Sequence, residues 1–326
     1  MMDTFFEYEE FAENLMNQLQ ARTMPEFVQI RMGKAQKVNQ TLDAIIVQFA
    51  DSDAAPCIYI APKYQLYLAG YSMDAIIEET MDEIQDVTDR VYEMPEITLE
   101  SAKHSLYCAI VNTERNQEML EDIPHRQFED LSLIVRYRID DAMSFVVSNS
   151  LCSMIQMTPN EIMDLAMKNT ESMPFQYKKL QDTIAEQYRL AGMPEDYIAE
   201  HTAYYDNLAV HYLSNESGID GAVLMASKPA LQKVYEQMGQ DYFIVPSSRH
   251  EVLILPKDVL DQEDIVEMIR DINQELLPPW DYLSDHLYLY DSRTQSVHIA
   301  DAITQVQEPG IPTQLSDQIQ TKGHTH

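Results

Sequence analysis

Apolar residues recur at intervals of three and four in several stretches, and that spacing predicts helices. Phe5, Tyr8, Phe11, Leu15 and Leu19 form one such stripe over residues 4–21, with Asp3 or Thr4 as its cap. Met73, Ile76, Ile77, Met81, Ile84, Val87 and Val91 form another over residues 73–93. Thr158-Pro-Asn-Glu161 reads as a helix start, in which threonine caps, proline takes the first helical position and glutamate reaches back. Leu180, Ile184 and Tyr188 predict a helix over roughly 175–191, stopped by Gly192 and Pro194. Pro229–Met238 and Asp261–Leu276 complete the set, the last with Ile265, Met268, Ile269, Ile272 and Leu276 on one face.

Short runs rich in Val, Ile, Phe and Tyr predict strands. They lie at residues 27–31 and 42–49, joined by the polar stretch Lys34–Gln40, and in 57–68, which holds a strand and the start of another short element because Pro62 interrupts the run. Leu131–Ile139 and Met143–Val147 flank the turn residues Asp140 and Asp141. Leu208–Leu213, Ala222–Ala226, Tyr242–Val245 and Val252–Leu255 follow, and Leu287–Tyr290 with Val297–Ile299 predict a final hairpin. Strands joined by short turns pair antiparallel. The fold class expected is α+β, a mainly antiparallel sheet with helices packed on one side. The expected organisation is an N-terminal unit over residues 1–95, a larger unit over 96–303 and a polar tail over 304–326. A single continuous domain over 1–303 is the alternative.

Charge narrows the function classes. The 326 residues carry 54 acidic and 22 basic side chains, a formal net charge of −32. Each side of residue 150 contributes −16, with 27 acidic and 11 basic side chains apiece. Direct nucleic-acid binding is disfavoured, because phosphates need neutralising cations, and so is attraction to an anionic membrane. The acidic face of residues 74–89 reads as a solvated helix surface; its sharper reading is a nucleic-acid mimic that blocks a DNA-binding host protein. Three widely spaced cysteines, Cys57, Cys108 and Cys152, predict neither a zinc site nor a disulfide framework. The N-terminus has no basic leader, and apolar runs such as Leu131–Val135 are too short to span a bilayer. The expected location is cytoplasmic, with no cofactor and no metal.

Candidate chemistry is sparse. Ser247, Ser248, His250 and Glu251 form the densest polar group, between two predicted strands. A hydrolase-like reading makes a serine the nucleophile, His250 its base and Glu251 the orienting group. The competing reading is a turn, since neighbours along one segment seldom converge on one reacting atom. His125, Glu129 and Asp130 form a second group, in which His125 and Glu129 would share a helix face. A site assembled from His125, Asp130, His250 and Glu251 is a further possibility. Asn215, Gly218 and Gly221 predict a glycine-bearing turn, and Arg249 joins His125, Asp130 and Asn215 as a candidate binding residue.

Several segments together carry a family resemblance. They are Ile110-Val-Asn112 with Asn116, Ile123-Pro-His125, Asp130-Leu-Ser-Leu, Tyr212-Leu-Ser-Asn215, Gly221-Ala222, Val245-Pro-Ser-Ser-Arg-His-Glu-Val252, Ile272-Asn273 and Leu283-Ser-Asp285 before Leu287-Tyr288. The chain resembles a family of Firmicutes proteins known as domain of unknown function 5688. Val245 and Arg249 stand where such proteins look more apolar. The resemblance implies no activity, because the family has none assigned, but similar proteins often lie near mobile elements. The leading expectation is therefore a non-enzymatic intracellular interaction or accessory protein with a protein partner. The hydrolase and the acidic mimic are the alternatives.

Overall fold

The structure of the protein, a computed structural model, describes residues 6–22, 24–51, 55–93, 97–140, 143–206, 209–258, 261–275 and 277–300. It is α+β, and its three sheets are antiparallel throughout.

The N-terminal layer holds α1 (Tyr8–Gln20), β1 (Val28–Lys37), β2 (Gln40–Phe49), β3 (Cys57–Tyr59), α2 (Ile60–Leu68) and α3 (Met73–Glu93). Phe11, Leu15 and Leu19 of α1 pack with Ile45, Val47, Ile58, Ile76 and Ile77 in one buried cluster. The stripe of α3 has its predicted limits. One prediction differs here, and the short element expected after the strand at 57 is a helix. Lys34–Lys37 continues β1 rather than forming a loop, because each residue pairs across the hairpin to residues 40–43. Residues 60–68 are helical, and Pro62 sits within the first turn, where a missing N–H costs no helix bond. The predicted caps Asp3 and Thr4 lie outside the described residues; α1 begins after Glu7.

The central layer holds α4 (Leu99–Ser105), β4 (Leu106–Asn112), α5 (Gln117–Glu121), β5 (His125–Phe128), β6 (Leu131–Arg138), β7 (Ser144–Val146), α6 (Asn149–Met154) and α7 (Pro159–Ser172). Strand β6 pairs with β4 along one edge and with β5 and then β7 along the other. The capping box at Thr158 and Glu161 forms as its sequence predicts.

The C-terminal layer is a six-stranded sheet built from β8 (Phe175–Lys179), β9 (His211–Asn215), β10 (Tyr242–Val245), β11 (Val252–Pro256), β12 (Tyr288–Asp291) and β13 (Ser296–Ile299), in the order β13-β12-β10-β11-β9-β8. The connecting helices are α8 (Leu180–Leu190), α9 (Glu195–Asp206), α10 (Lys228–Met238) and α11 (Gln262–Glu275). Tyr242, Ile244, Val252, Ile254, Tyr288 and Tyr290 share the largest core cluster with Leu106, Cys108, Ile110 and Val135 of the central sheet. The opposite face, with Phe243, Val245 and Leu255, packs on Ile265, Val266 and Ile269 of α11. The sheet is therefore covered on both faces, by the central sheet and α10 on one and by α11 on the other, rather than by helices on one side, which is why all four residues of β10 are buried. The α11 stripe is also rotated from its predicted face: Met268 and Ile272 are exposed and Val266 is buried, and Leu276 lies outside the described residues. Phe175–Lys179 is a strand rather than the start of a helix, and Gly221–Ala226 is a 3-10 helix rather than a strand. The predicted tail, with its Gly-His-Thr-His end, lies outside the described residues.

Candidate functional site

The site is built on one face of the central sheet. Side chains alternate along a strand and match across a pair. Tyr107 opposes Arg136, and Arg138 opposes Ser144, so these four share a face. Farther along that face, Ala109, Val111 and Ile134 are apolar and covered by Val38, Met119 and Leu120. The polar half is covered instead by two loops of the C-terminal layer, residues 215–221 and 246–251.

These loops are tied to each other and to residue 281. The Ser214 hydroxyl donates to the His250 carbonyl at 2.7 Å, the Ala222 N–H donates to the Arg249 carbonyl at 3.3 Å, and the Arg249 N–H donates to the Asp281 carbonyl at 2.9 Å. Gly221 makes the close approach possible, since a Cβ there would lie 2.1 Å from Ser214 Oγ and 2.5 Å from the His250 carbonyl oxygen. The preceding Asp220 adopts the left-handed conformation, φ +56°, which turns its side chain under the arginines.

Asp220 is the centre of the charge network. Its carboxylate, only 2% exposed, lies 3.2 Å from Arg136 Nε and 3.1 Å from Arg249 Nη1, and it accepts the Tyr107 hydroxyl at 3.1 Å. Arg249 also reaches Asp281 at 3.0 Å, and Arg136 donates to the Ser144 hydroxyl at 2.8 Å. Arg138 lies over the Tyr107 ring, 4.8 Å from its centroid. Among the described residues it has no carboxylate partner. Tyr107, Arg136, Arg138, Met143, Ser144, Ser217, Ile219 and Arg249, with Asp140 at the rim, line a recess of about 380 Å³. Three of the eleven arginines of a strongly acidic chain thus converge on one recess. A second recess of about 310 Å³, lined by Gln36, Glu118, Met119, Asp122, Ile123 and Val146, has no basic lining residue.

The residues singled out from sequence fall as follows. Ser247 Oγ donates to Glu251 at 2.9 Å, and Ser248 Oγ accepts the His250 backbone N–H at 2.9 Å. His250 Nδ1 accepts the Asp220 N–H at 3.2 Å, so its proton sits on Nε2, facing Asp281 at 3.1 Å. Both ring nitrogens are engaged, and among the described residues neither bonds a serine hydroxyl. The geometry is that of the turn, not of a nucleophile and its base. A recess does lie beside this turn, but Arg249 is the turn residue that faces it. Asn215 organises the other loop, donating to the Ile219 carbonyl and accepting the Ser217 hydroxyl.

The His125 group is corrected by the structure. His125 opens strand β5, and Glu129 lies in a turn with φ +54°, so no helix face joins them. His125 is exposed with Nδ1 on the Ile123 carbonyl, while Asp130 accepts from Ser284 and from the Tyr288 hydroxyl. Among the described residues no hydrogen bond or ion pair joins any two of His125, Asp130, His250 and Glu251, except along the chain through the turn. Nor is any group of three His, Cys, Asp or Glu placed to hold a metal ion among those residues. The acidic array of α3 is partly neutralised by the chain itself: buried Lys63 pairs with Glu79 and Glu83, and Arg22 pairs with Glu78. That weakens the resemblance to a run of free phosphates.

Sequence reasoning missed Tyr107, Arg136, Arg138, Asp220 and Asp281. One signal was available: Arg136 and Arg138 stand two apart in an otherwise apolar strand, and a strand places such residues on one face.

Among the described residues no helix is long and apolar enough to cross a membrane. No curated protein and no solved structure matches the chain. A family model does match, over residues 8–292, and by that match the chain belongs to the family of unknown function DUF5688.

Proposed function

We propose that this chain is a non-enzymatic interaction protein of the cytoplasm that recognises an anionic group in the recess between the central sheet and the loops at 215–221 and 246–251. The observation that carries this reading is the convergence of Arg136, Arg138 and Arg249. Arginine is costly to bury without a partner, and Arg138 is half-buried over an aromatic ring with no carboxylate at ion-pair distance among the described residues. The turn at 247–251 then serves to aim Arg249, with Ser247, Ser248, His250 and Glu251 holding its backbone. The division into units 1–95 and 96–303 is part of the same proposal, supported by the separate N-terminal core.

The test compares wild type with Arg138→Gln, each expressed in its own host, purified gently and examined by native mass spectrometry. We expect wild type to retain a bound anion or partner that the variant loses. Ester or amide turnover that disappears in His250→Ala would overturn the reading in favour of the hydrolase.

A further inference from the structure

We infer that the group held in this recess is a singly charged carboxylate attached to a short apolar moiety, with Arg138 as its anchor. The inference rests on the binding function proposed above and narrows its ligand class. It begins with the count of charges. Arg136 and Arg249 share the buried carboxylate of Asp220, and Arg249 also holds Asp281. Two arginines thus face two aspartates. His250 accepts an N–H at Nδ1 and turns Nε2 to Asp281, so neither ring nitrogen is offered to the recess. Among the described residues Arg138 is the one of the three arginines with no carboxylate at ion-pair distance, although Asp140 stands at the rim of the same recess. A monoanion is the smallest charge that engages it. A phosphate dianion would leave a surplus negative charge close to Asp220 and beside Asp140, in a chain already at −32, and like charges at short range in a partly dry recess are costly.

The donor geometry agrees. The guanidinium of Arg138 stands over the Tyr107 ring, and that stacking limits how its plane can turn. A planar fork of N–H donors matches two carboxylate oxygens at once. The hydroxyl of Ser217 lines the same recess but is spent on Asn215, so Arg138 is the donor on which the fit depends. Ile219 and Met143 form the apolar part of the wall. They would cover an aliphatic group but offer nothing to the outer oxygens of a phosphate. A free organic acid and the C-terminus of a peptide present the same chemistry, and only experiment separates them.

The probes are N-acetylleucine, its neutral amide, pentanoate and inorganic phosphate at pH 8, titrated into the full chain and followed by NMR of the Arg138 Nε–H and the Tyr107 ring. We expect saturable shifts with N-acetylleucine and none with the amide. Pentanoate binding as tightly would assign a free acid; N-acetylleucine binding more tightly would assign a peptide terminus. Arg138→Gln should weaken binding roughly tenfold or more, the scale of a charge-assisted bond. Arg138→Lys, which keeps the charge but not the fork, should recover only part of it. Circular dichroism would confirm that both variants fold. Saturable binding of phosphate without N-acetylleucine would overturn the carboxylate assignment and leave the binding reading intact. Shifts from none of the four probes would overturn both.

Discussion

At the scale of single residues, Asp220 carries more of the structure than its place in a glycine turn suggests. It is nearly inaccessible, yet it meets two guanidinium groups and a tyrosine hydroxyl. Removing one partner of a buried pair costs about 3–5 kcal/mol, because the remaining charges stay buried and unmatched. Asp220→Ala should therefore destabilise the protein by about that amount, including about 1 kcal/mol for a left-handed alanine. Asp220→Asn should cost less, since asparagine tolerates the left-handed region and still accepts from Tyr107. Urea denaturation of both variants checks this, and a cost below 1 kcal/mol for Asp220→Ala would mean the arginines are solvated rather than paired. None of this was legible in the sequence. Gly218-Ile-Asp-Gly221 reads correctly as a turn, but a turn does not announce which distant cations lie above it. The same holds for Ser247–Glu251, where the local hydrogen bonds were readable and the outward aim of Arg249 was not.

At the scale of elements, the tip of the β1–β2 hairpin is the clearest joint between the N-terminal layer and the rest. Val38 enters the apolar half of the central sheet's face. Asn39, at φ +63°, donates its N–H to Asn116 Oδ1 at 2.7 Å and its amide group to the carbonyls of Pro279 at 3.1 Å and Tyr282 at 2.7 Å, and it accepts from Asn116 at 2.8 Å. Asn39→Gly keeps the backbone conformation at no steric cost and removes three of these four bonds. We expect a loss of about 1–3 kcal/mol and faster hydrogen exchange at the tip amides; unchanged exchange there would show that Val38 alone holds the joint. Elements with strict period or local caps, such as α3, α7 and α10, were readable because their signals sit within a few residues. The failures were short apolar runs. Ala222–Met225 is buried 3-10 helix rather than strand, and β8 was absorbed into the helix that follows it. Burial on all sides erases the periodicity that would tell strand from helix. Helix α9 escaped for the opposite reason: its run of acidic, tyrosine and histidine residues shows no apolar stripe.

At the scale of the whole molecule, two features set how stability responds to solvent. One is the net charge of −32; the other is the burial of tyrosines. Burial pushes the hydroxyls of Tyr177 and Tyr282 up to about 12, and that of Tyr242 higher still. Tyr177 has the further handicap of a buried hydroxyl with no hydrogen-bond partner among the described residues. In the unfolded chain these groups ionise near 10. Below pH 10 both states keep the proton, and the advantage of the folded state is complete. Between about 10 and 12 the unfolded state loses protons that the folded state retains, so stability must fall as pH rises through that window. The acidic surface acts in the same direction, because every tyrosinate formed adds to a charge that already repels itself. The buried thiol of Cys108, pushed up to about 12, starts the same loss earlier, because in the unfolded chain a thiol ionises at about 8.5. Denaturation midpoints should therefore begin to decline above about pH 8.5 and fall more steeply from about 10 toward 12, with the last part of the tyrosinate absorbance, that of the buried rings, rising in step with unfolding. Added salt should raise the midpoint at every pH by screening the surface charges, while leaving the position of the alkaline decline nearly unchanged, since screening does not reach buried hydroxyls. A decline that moved several tenths of a pH unit with salt would assign it to surface repulsion instead, and tyrosinate absorbance that was complete for every ring before unfolding would show that the buried rings ionise within the folded protein.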